Sequence, residues 1–191
     1  MAVRIITGEL KGREVFLPKN ARYRPSTHFL REMLFSIIGP ATVDGCVFLD
    51  VFAGSGVVGI EAISRGAAKS IFLEKSHRNA SCIQQNLARL EVADRGVVMQ
   101  LDAARELPKV GRELANGELI DLAFVDPPFK VPVEGPFLAS LVRNSHLFAP
   151  DCRIYLETRV KPVGITDELA VVDQRNTSSS VLTTYRLQNT G

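Results

Sequence analysis

From residue 46 onward, short apolar runs alternate with amphipathic stretches. The runs fall near 46–50, 70–74, 97–101, 119–125 and 152–158 and read as strands. Helical stretches lie between them, one starting at Ser76 with Ile83, Leu87 and Leu90 turned inward. Strand and helix in alternation imply a parallel sheet with right-handed crossovers. Both ends of the chain break this rhythm. Residues 3–17 read as a hairpin, after which a helix begins near Ser26 or Thr27. That helix places Phe29, Leu30, Met33, Leu34, Ile37 and Ile38 on one inward face, with Gly39-Pro40 as its stop. At the other end, 168–174 and 180–187 are strand-like and joined by a short polar link, as in an antiparallel hairpin. The expected fold is therefore α/β, with a mostly parallel sheet that ends in an antiparallel hairpin. A hairpin-and-helix extension over residues 1–40 precedes a core over 41–191.

A chain of 191 residues with 46% hydrophobic content can bury one core. No apolar run approaches the ~20 residues of a membrane span, and the N-terminus lacks a signal-peptide pattern. Three scattered cysteines (Cys46, Cys82, Cys152) without a C-x-x-C read as reduced thiols of a cytoplasmic protein. His28, His77 and His146 have no metal-ligand spacing, so metal dependence is not expected. The net charge of +2 is unevenly spread: residues 1–35 carry seven basic groups against three acidic ones. Such an arm suits phosphates, with Lys11, Arg13, Arg22 and Arg24 as candidate RNA contacts and Tyr23 as an aromatic between the last two.

Two motifs carry the chemistry. Asp126-Pro127-Pro128-Phe129 follows the apolar run 119–125. Successive prolines stop a strand and stiffen the turn, which then offers the Asp126 carboxylate, the Pro127 carbonyl and the Phe129 ring. Acceptors beside a ring suit a flat base carrying an exocyclic amine. The second motif is Asp50-Val51-Phe52-Ala53-Gly54-Ser55-Gly56-Val57-Val58-Gly59, a Gly-x-Gly-x-x-Gly turn after a strand and before a helix. Its glycines allow close backbone approach to a ligand, and the helix start offers N–H groups. Asp50, at the strand end, can face an ammonium group. Glu74 stands twenty residues after Gly54, where a carboxylate accepts ribose hydroxyls. Asp102 either borders an adenine or caps the stretch beginning at Ala103. A ligand with both an adenosine and an amino-acid ammonium fits this set. S-adenosylmethionine has both, and a dinucleotide has only the first.

The Asp-x-Phe-Ala-Gly-Ser-Gly loop, the Asp-Pro-Pro-Phe turn and Arg24-Pro25-Ser26…Arg31-Glu32-Met33-Leu34-Phe35 together resemble the RsmD family. The likeness runs from about Arg4 to Leu187, and Thr7-Gly8-Glu9-Leu10-Lys11-Gly12-Arg13 is similar to that family's opening hairpin. The resemblance implies a class I, Rossmann-like methyltransferase that uses S-adenosylmethionine. Its implied substrate is a guanine N2 amine in small-subunit (16S) ribosomal RNA, free or within an assembling particle. It further implies cofactor contacts at Asp50, Phe52, Ala53, Gly54, Ser55, Gly56, Glu74, Lys75, Asp102 and Ala103. Asp126, Pro127 and Phe129 would act on the base. Ser26 stands where the family commonly has Thr, and Thr177-Ser178-Ser179-Ser180 where a glycine-containing turn is usual. The glycine loop and the proline turn alone leave open an adenine N6 or glutamine N5 methyltransferase. A nicotinamide-dependent oxidoreductase would explain the loop but not Asp50 or the turn, and intact Asp126 and the glycine loop argue against a non-enzymatic RNA-binding factor that kept the fold.

Overall fold

Strands β1 (Ala2–Arg4) and β2 (Glu14–Phe16) pair antiparallel as the opening hairpin, followed by helices α1 (His28–Ile38) and α2 (Pro40–Val43). The structure is a computed structural model that describes residues 1–18, 28–115, 117–128, 134–159, 168–177 and 180–188. The predicted apolar runs become β3 (Val47–Val51), β4 (Lys69–Glu74), β5 (Gly96–Gln100), β6 (Ile120–Val125) and β7 (Phe148–Thr158). The tail supplies β8 (Leu169–Asn176) and β9 (Val181–Leu187). Among the described residues the main sheet has the order β5-β4-β3-β6-β7-β9-β8. β3 to β7 run parallel, and β9 is antiparallel to both β7 and β8. This is the expected parallel sheet with its closing hairpin.

Helices cover both faces, as the fully buried central strands require. On one face α1, α3 (Val57–Ser64) and α4 (His77–Leu90) pack against Phe48, Phe72, Phe124 and Tyr155. On the other, α5 (Ala103–Glu106), the turn at 107–112 and α6 (Glu134–Arg143) pack against Leu49, Ile71, Ala123 and Ile154. Ser76 caps α4 by accepting a hydrogen bond from the Asn79 N–H. Pro40 does not simply stop α1. It opens the short α2 instead, where a missing N–H costs nothing.

The inward face of α1 differs from the expected one. Phe29 is 60% exposed, whereas Arg31 and Phe35 are buried with Leu30, Leu34 and Ile38. The reason lies on α3. Glu61 there is fully buried and accepts hydrogen bonds from the Ile6 and Thr7 N–H groups at 2.9 and 3.1 Å. Arg31 meets Glu61 at 3.0 Å and also donates to the Arg4 carbonyl, while Arg65 closes on the other Glu61 oxygen at 2.9 Å. Burial pulls the Arg31 pKa down and Glu61 opposes that shift. A buried charge is tolerated only when paired, so the ion pair overrides the apolar stripe.

The same contacts dock the hairpin. Ser64 receives the Glu9 N–H on its carbonyl and the Leu10 N–H on its hydroxyl, and that hydroxyl donates to the Thr7 carbonyl at 2.6 Å. Asn86 of α4 pairs both ways with the Phe16 backbone at 2.9 Å, completing the free side of β2. Ile5, Leu10 and Val15 lie in the same apolar cluster as α3 and α4.

Candidate active site

In an open α/β sheet, ligands bind beyond the carboxyl ends of the strands, where strand order reverses. Here that point lies between the neighbouring strands β3 and β6. Register places the sequence-predicted carboxylates there. Asp50 is level with Phe72 and Phe124, and Glu74 is level with Gln100 one step further out. Side chains alternate along a strand. The alternation that sends Phe48, Phe72 and Phe124 toward α1, α3 and α4 therefore sends Asp50, Glu74 and Asp126 to that same face.

The glycine loop turns sharply after β3. Gly54 and Gly56 have φ of 57° and 74°, in the left-handed region that glycine enters without steric cost. Gly59 has a different task. A Cβ there would lie 2.3 Å from the Phe72 ring, so glycine lets α3 press onto β4. Phe52 also adopts a positive φ, 61°, which pattern reasoning did not foresee. For a bulky residue that conformation costs on the order of 1–3 kcal/mol, and the edge-on packing of its ring against Phe137 of α6 holds it there.

Two carboxylates brace the loop from below and beside. Asp50 is 2% exposed and its Oδ2 accepts the Gly59 N–H at 2.9 Å. Burial pushes its pKa up to about 8, the Gly59 hydrogen bond opposes this, and neighbouring Glu74 adds to it. Glu74 takes the Gly54 N–H on one oxygen at 2.8 Å and the Ser76 N–H on the other at 2.7 Å. Its orientation is thereby set before any ligand arrives. Ser55 and Ala103 are buried, Phe52 and Ala53 half-buried, and Lys75 exposed.

Of the two roles foreseen for Asp102, the structure shows the cap. It caps α5 through the Ala104 N–H and receives Lys75 Nζ at 2.9 Å, and that hydrogen bond leads in holding its pKa below the usual range. The ion pair joins the end of β4 to the end of β5.

At the end of β6 the Asp126 N–H donates to the Val51 carbonyl at 3.3 Å, which carries the ladder one step past the strand. Asp126 is half-buried, Pro127 buried and Pro128 exposed. Phe129, Arg22, Tyr23, Arg24, Ser178 and Ser179 lie outside the described residues. On the arm, Lys11 is exposed and makes no ion pair among the described residues. Arg13 is engaged. Its guanidinium donates to the Arg89 carbonyl at 2.9 Å and the Leu90 carbonyl at 3.5 Å, at the negative end of α4. Arg31, counted with the basic arm in the sequence, is buried against Glu61 and faces no solvent.

One strand-end carboxylate escaped the sequence reading. Glu157, at the end of β7, is buried and receives the Ser180 hydroxyl at 2.7 Å. The signal was present, since it closes an apolar run as Glu74 and Asp126 do. A groove of about 370 Å³ lined by Thr42, Asp44, Cys46, Asp121, Asp151 and Arg153 opens at the opposite, amino edge of the sheet. None of the loop or turn residues reaches it. Among the described residues, no helix is long and apolar enough to cross a membrane.

Comparison with known proteins agrees with this architecture. Residues 3–186 match the family described as Conserved hypothetical protein 95. The Ribosomal RNA small subunit methyltransferase D of Escherichia coli is 35% identical over 83% of this chain and 76% of its own length. The protein of the same name from Haemophilus influenzae is 30% identical over 97% of this chain and 92% of its own length. The solved structure of yhhF from Escherichia coli superimposes with a TM-score of 0.81 at 28% identity, covering 98% of this chain and 99% of that one. With the glycine loop, the strand-end carboxylates and the proline turn assembled on a class I methyltransferase sheet, the chain belongs to this family, the RsmD family of ribosomal RNA methyltransferases.

Proposed function

We propose that this protein methylates the exocyclic N2 amine of a guanine in small-subunit ribosomal RNA, with S-adenosylmethionine as methyl donor. The observation that carries the reading is the row of carboxylates on one sheet face around the glycine loop. Asp50 and Glu74 lie on one side of the switch point and Asp126 on the other. The names of the relatives support ribosomal RNA as the substrate class.

The residues present fit the donor. Buried Asp50 has no cation beside it among the described residues, and its raised pKa marks a place where an ammonium group would be welcome. Glu74, held by two backbone amides, would accept ribose hydroxyls. Lys75 and Asp102 would border the adenine, and the Gly54–Gly56 backbone allows close approach. The bound donor supplies an electrophilic methyl group.

The remaining task falls to the turn. The lone pair of the guanine amine is delocalised into the ring. Acceptance of its protons by the Asp126 carboxylate and the Pro127 carbonyl favours a pyramidal nitrogen and frees that lone pair. Orientation on a proline-stiffened turn contributes through proximity and preorganisation. The base leaves its stack to reach the turn and rests against Phe129.

The test is a single-turnover assay on ribosomal RNA or a small-subunit particle lacking the modification, with mass spectrometry of the product nucleoside. Asp126→Ala is expected to keep donor binding and to slow methyl transfer by about 10²-fold or more. Full activity in that variant would overturn the mechanism. N6-methyladenosine as product would overturn the substrate and leave amino methylation standing.

A further inference from the structure

Asp126 is not alone at its level of the sheet. The ladder between β6 and β7 ends with Val125 opposite Leu156, so the next pair in that register is Asp126 with Glu157. Adjacent parallel strands lie about 4.8 Å apart, and paired residues share a face. The alternation that puts Phe124 and Tyr155 in the cluster beneath α1, α3 and α4 brings both carboxylates to that side. Glu157 thus stands beside the proline turn, on its far side from the glycine loop.

The polar contacts around Glu157 are built with some care. Ser180 Oγ donates to Oε1 at 2.7 Å, which engages one carboxylate oxygen. Ser180 is itself pinned by Thr177. The Ser180 N–H donates to Thr177 Oγ1 at 2.8 Å, the two hydroxyls meet at 2.8 Å, and the Thr177 N–H returns to the Ser180 carbonyl at 2.8 Å. Burial raises the Glu157 pKa, and the Ser180 hydrogen bond opposes that rise.

The Watson–Crick edge of guanine presents the N1–H beside the N2 amine, two neighbouring donor groups. Adenine offers an acceptor at N1. The geometry points to Glu157 as the specificity residue that accepts the guanine N1–H while Asp126 and Pro127 engage the N2 amine, with Ser180 positioning the Glu157 carboxylate. This rests on the guanine N2 reading above and deepens it. It assigns the discrimination between guanine and other purines to the end of β7.

The experiment exploits 2-aminopurine, which keeps the amine to be methylated but has a lone pair in place of the N1–H. Synthetic RNA carrying either base at the mapped target is compared by kcat/KM. The wild type is expected to prefer guanine by about 10²-fold, since a site built for a donor rejects an analogue lacking it. Glu157→Gln, whose amide can donate to N1, is expected to lose about 10- to 100-fold on guanine and to narrow the preference at least tenfold. Ser180→Ala is expected to lose several-fold more on guanine than on 2-aminopurine, a split that a purely structural role would not produce. Adenosylhomocysteine affinity, measured alongside, reports that each variant is folded. If Glu157→Gln does not fold, the Ser180→Ala split alone decides the matter. A wild type that treats both bases alike, or variants that keep the wild-type preference, would overturn this inference and leave guanine methylation intact. No N2-methylguanosine from the wild type would remove the guanine reading and this inference with it.

Discussion

Asp50→Asn isolates the most unusual ionisable group of the site. The amide is isosteric and its carbonyl can still accept the Gly59 N–H, so the loop keeps its anchor. In the folded protein, burial pushes the Asp50 pKa up to about 8. In the unfolded chain the same group titrates near ~3.9. The folded value is the higher one, so the native state binds the extra proton between these limits. The stabilisation is complete below about pH 4 and is lost as pH rises through about 8. One proton gives a slope of a little over ~1 kcal/mol per pH unit, so the wild type should lose up to roughly 4 kcal/mol relative to Asp50→Asn between pH 5 and 8. Urea unfolding of both proteins at pH 5, 6, 7 and 8, at constant ionic strength, measures the difference, in which other titrating groups cancel. Parallel stability curves would refute the buried-acid reasoning. Adenosylhomocysteine adds a second readout. An ammonium seated against Asp50 ionises it, so binding at pH 7 should release protons from the wild type. The variant should release fewer and bind more weakly. Calorimetry in buffers of different ionisation enthalpy reads the proton count, and equal release from both proteins would remove Asp50 from the ammonium site.

Four further outcomes are expected. Glu61→Gln leaves Arg31 buried beside a neutral partner and should cost about 3–5 kcal/mol in urea unfolding. A loss below about 1 kcal/mol would show that the ion pair does not hold the hairpin to α3. Gly59→Ala places a methyl against the Phe72 ring and should cost about 1–3 kcal/mol despite the better helix propensity of alanine, read as a lowered Tm; a raised Tm would mean that the ring yields freely. Lys11→Ala should lower the slope of log affinity for RNA against log salt by somewhat less than one unit. Arg13→Ala should lower Tm as well, because it also removes two hydrogen bonds from the end of α4; an unchanged salt slope in the double variant would place the RNA surface elsewhere.

Much of the fold was legible because its signals are local. A strand buried on both faces needs a short apolar run, and each of the five parallel strands was found within a few residues of its position. Ser76 before an amphipathic stretch marked the start of α4 through the chemistry of one side chain. The glycine loop and the proline turn were equally local, since φ restrictions act within a residue or two. Elements at the boundaries were less well read: β7 begins at Phe148, four residues before the apolar run at 152 suggested.

Other features depended on groups distant in sequence. Arg31 looks like an exposed base of a basic arm until Glu61, thirty residues away, turns inward to meet it, and the face of α1 follows that pairing, leaving Phe29 outside. Nothing near Arg13 in the sequence tells that the end of α4 lies beneath it. Glu157 acquires meaning only when β7 is laid next to β6 in a definite register. The sequence by itself determined where strands end and that acids stand there, because backbone sterics and hydrophobic runs are properties of neighbours. Tertiary structure alone decided which of those acids share a face, and which charges are buried in pairs. Those outcomes depend on strand order, register and desolvation, which arise only when distant segments are brought together.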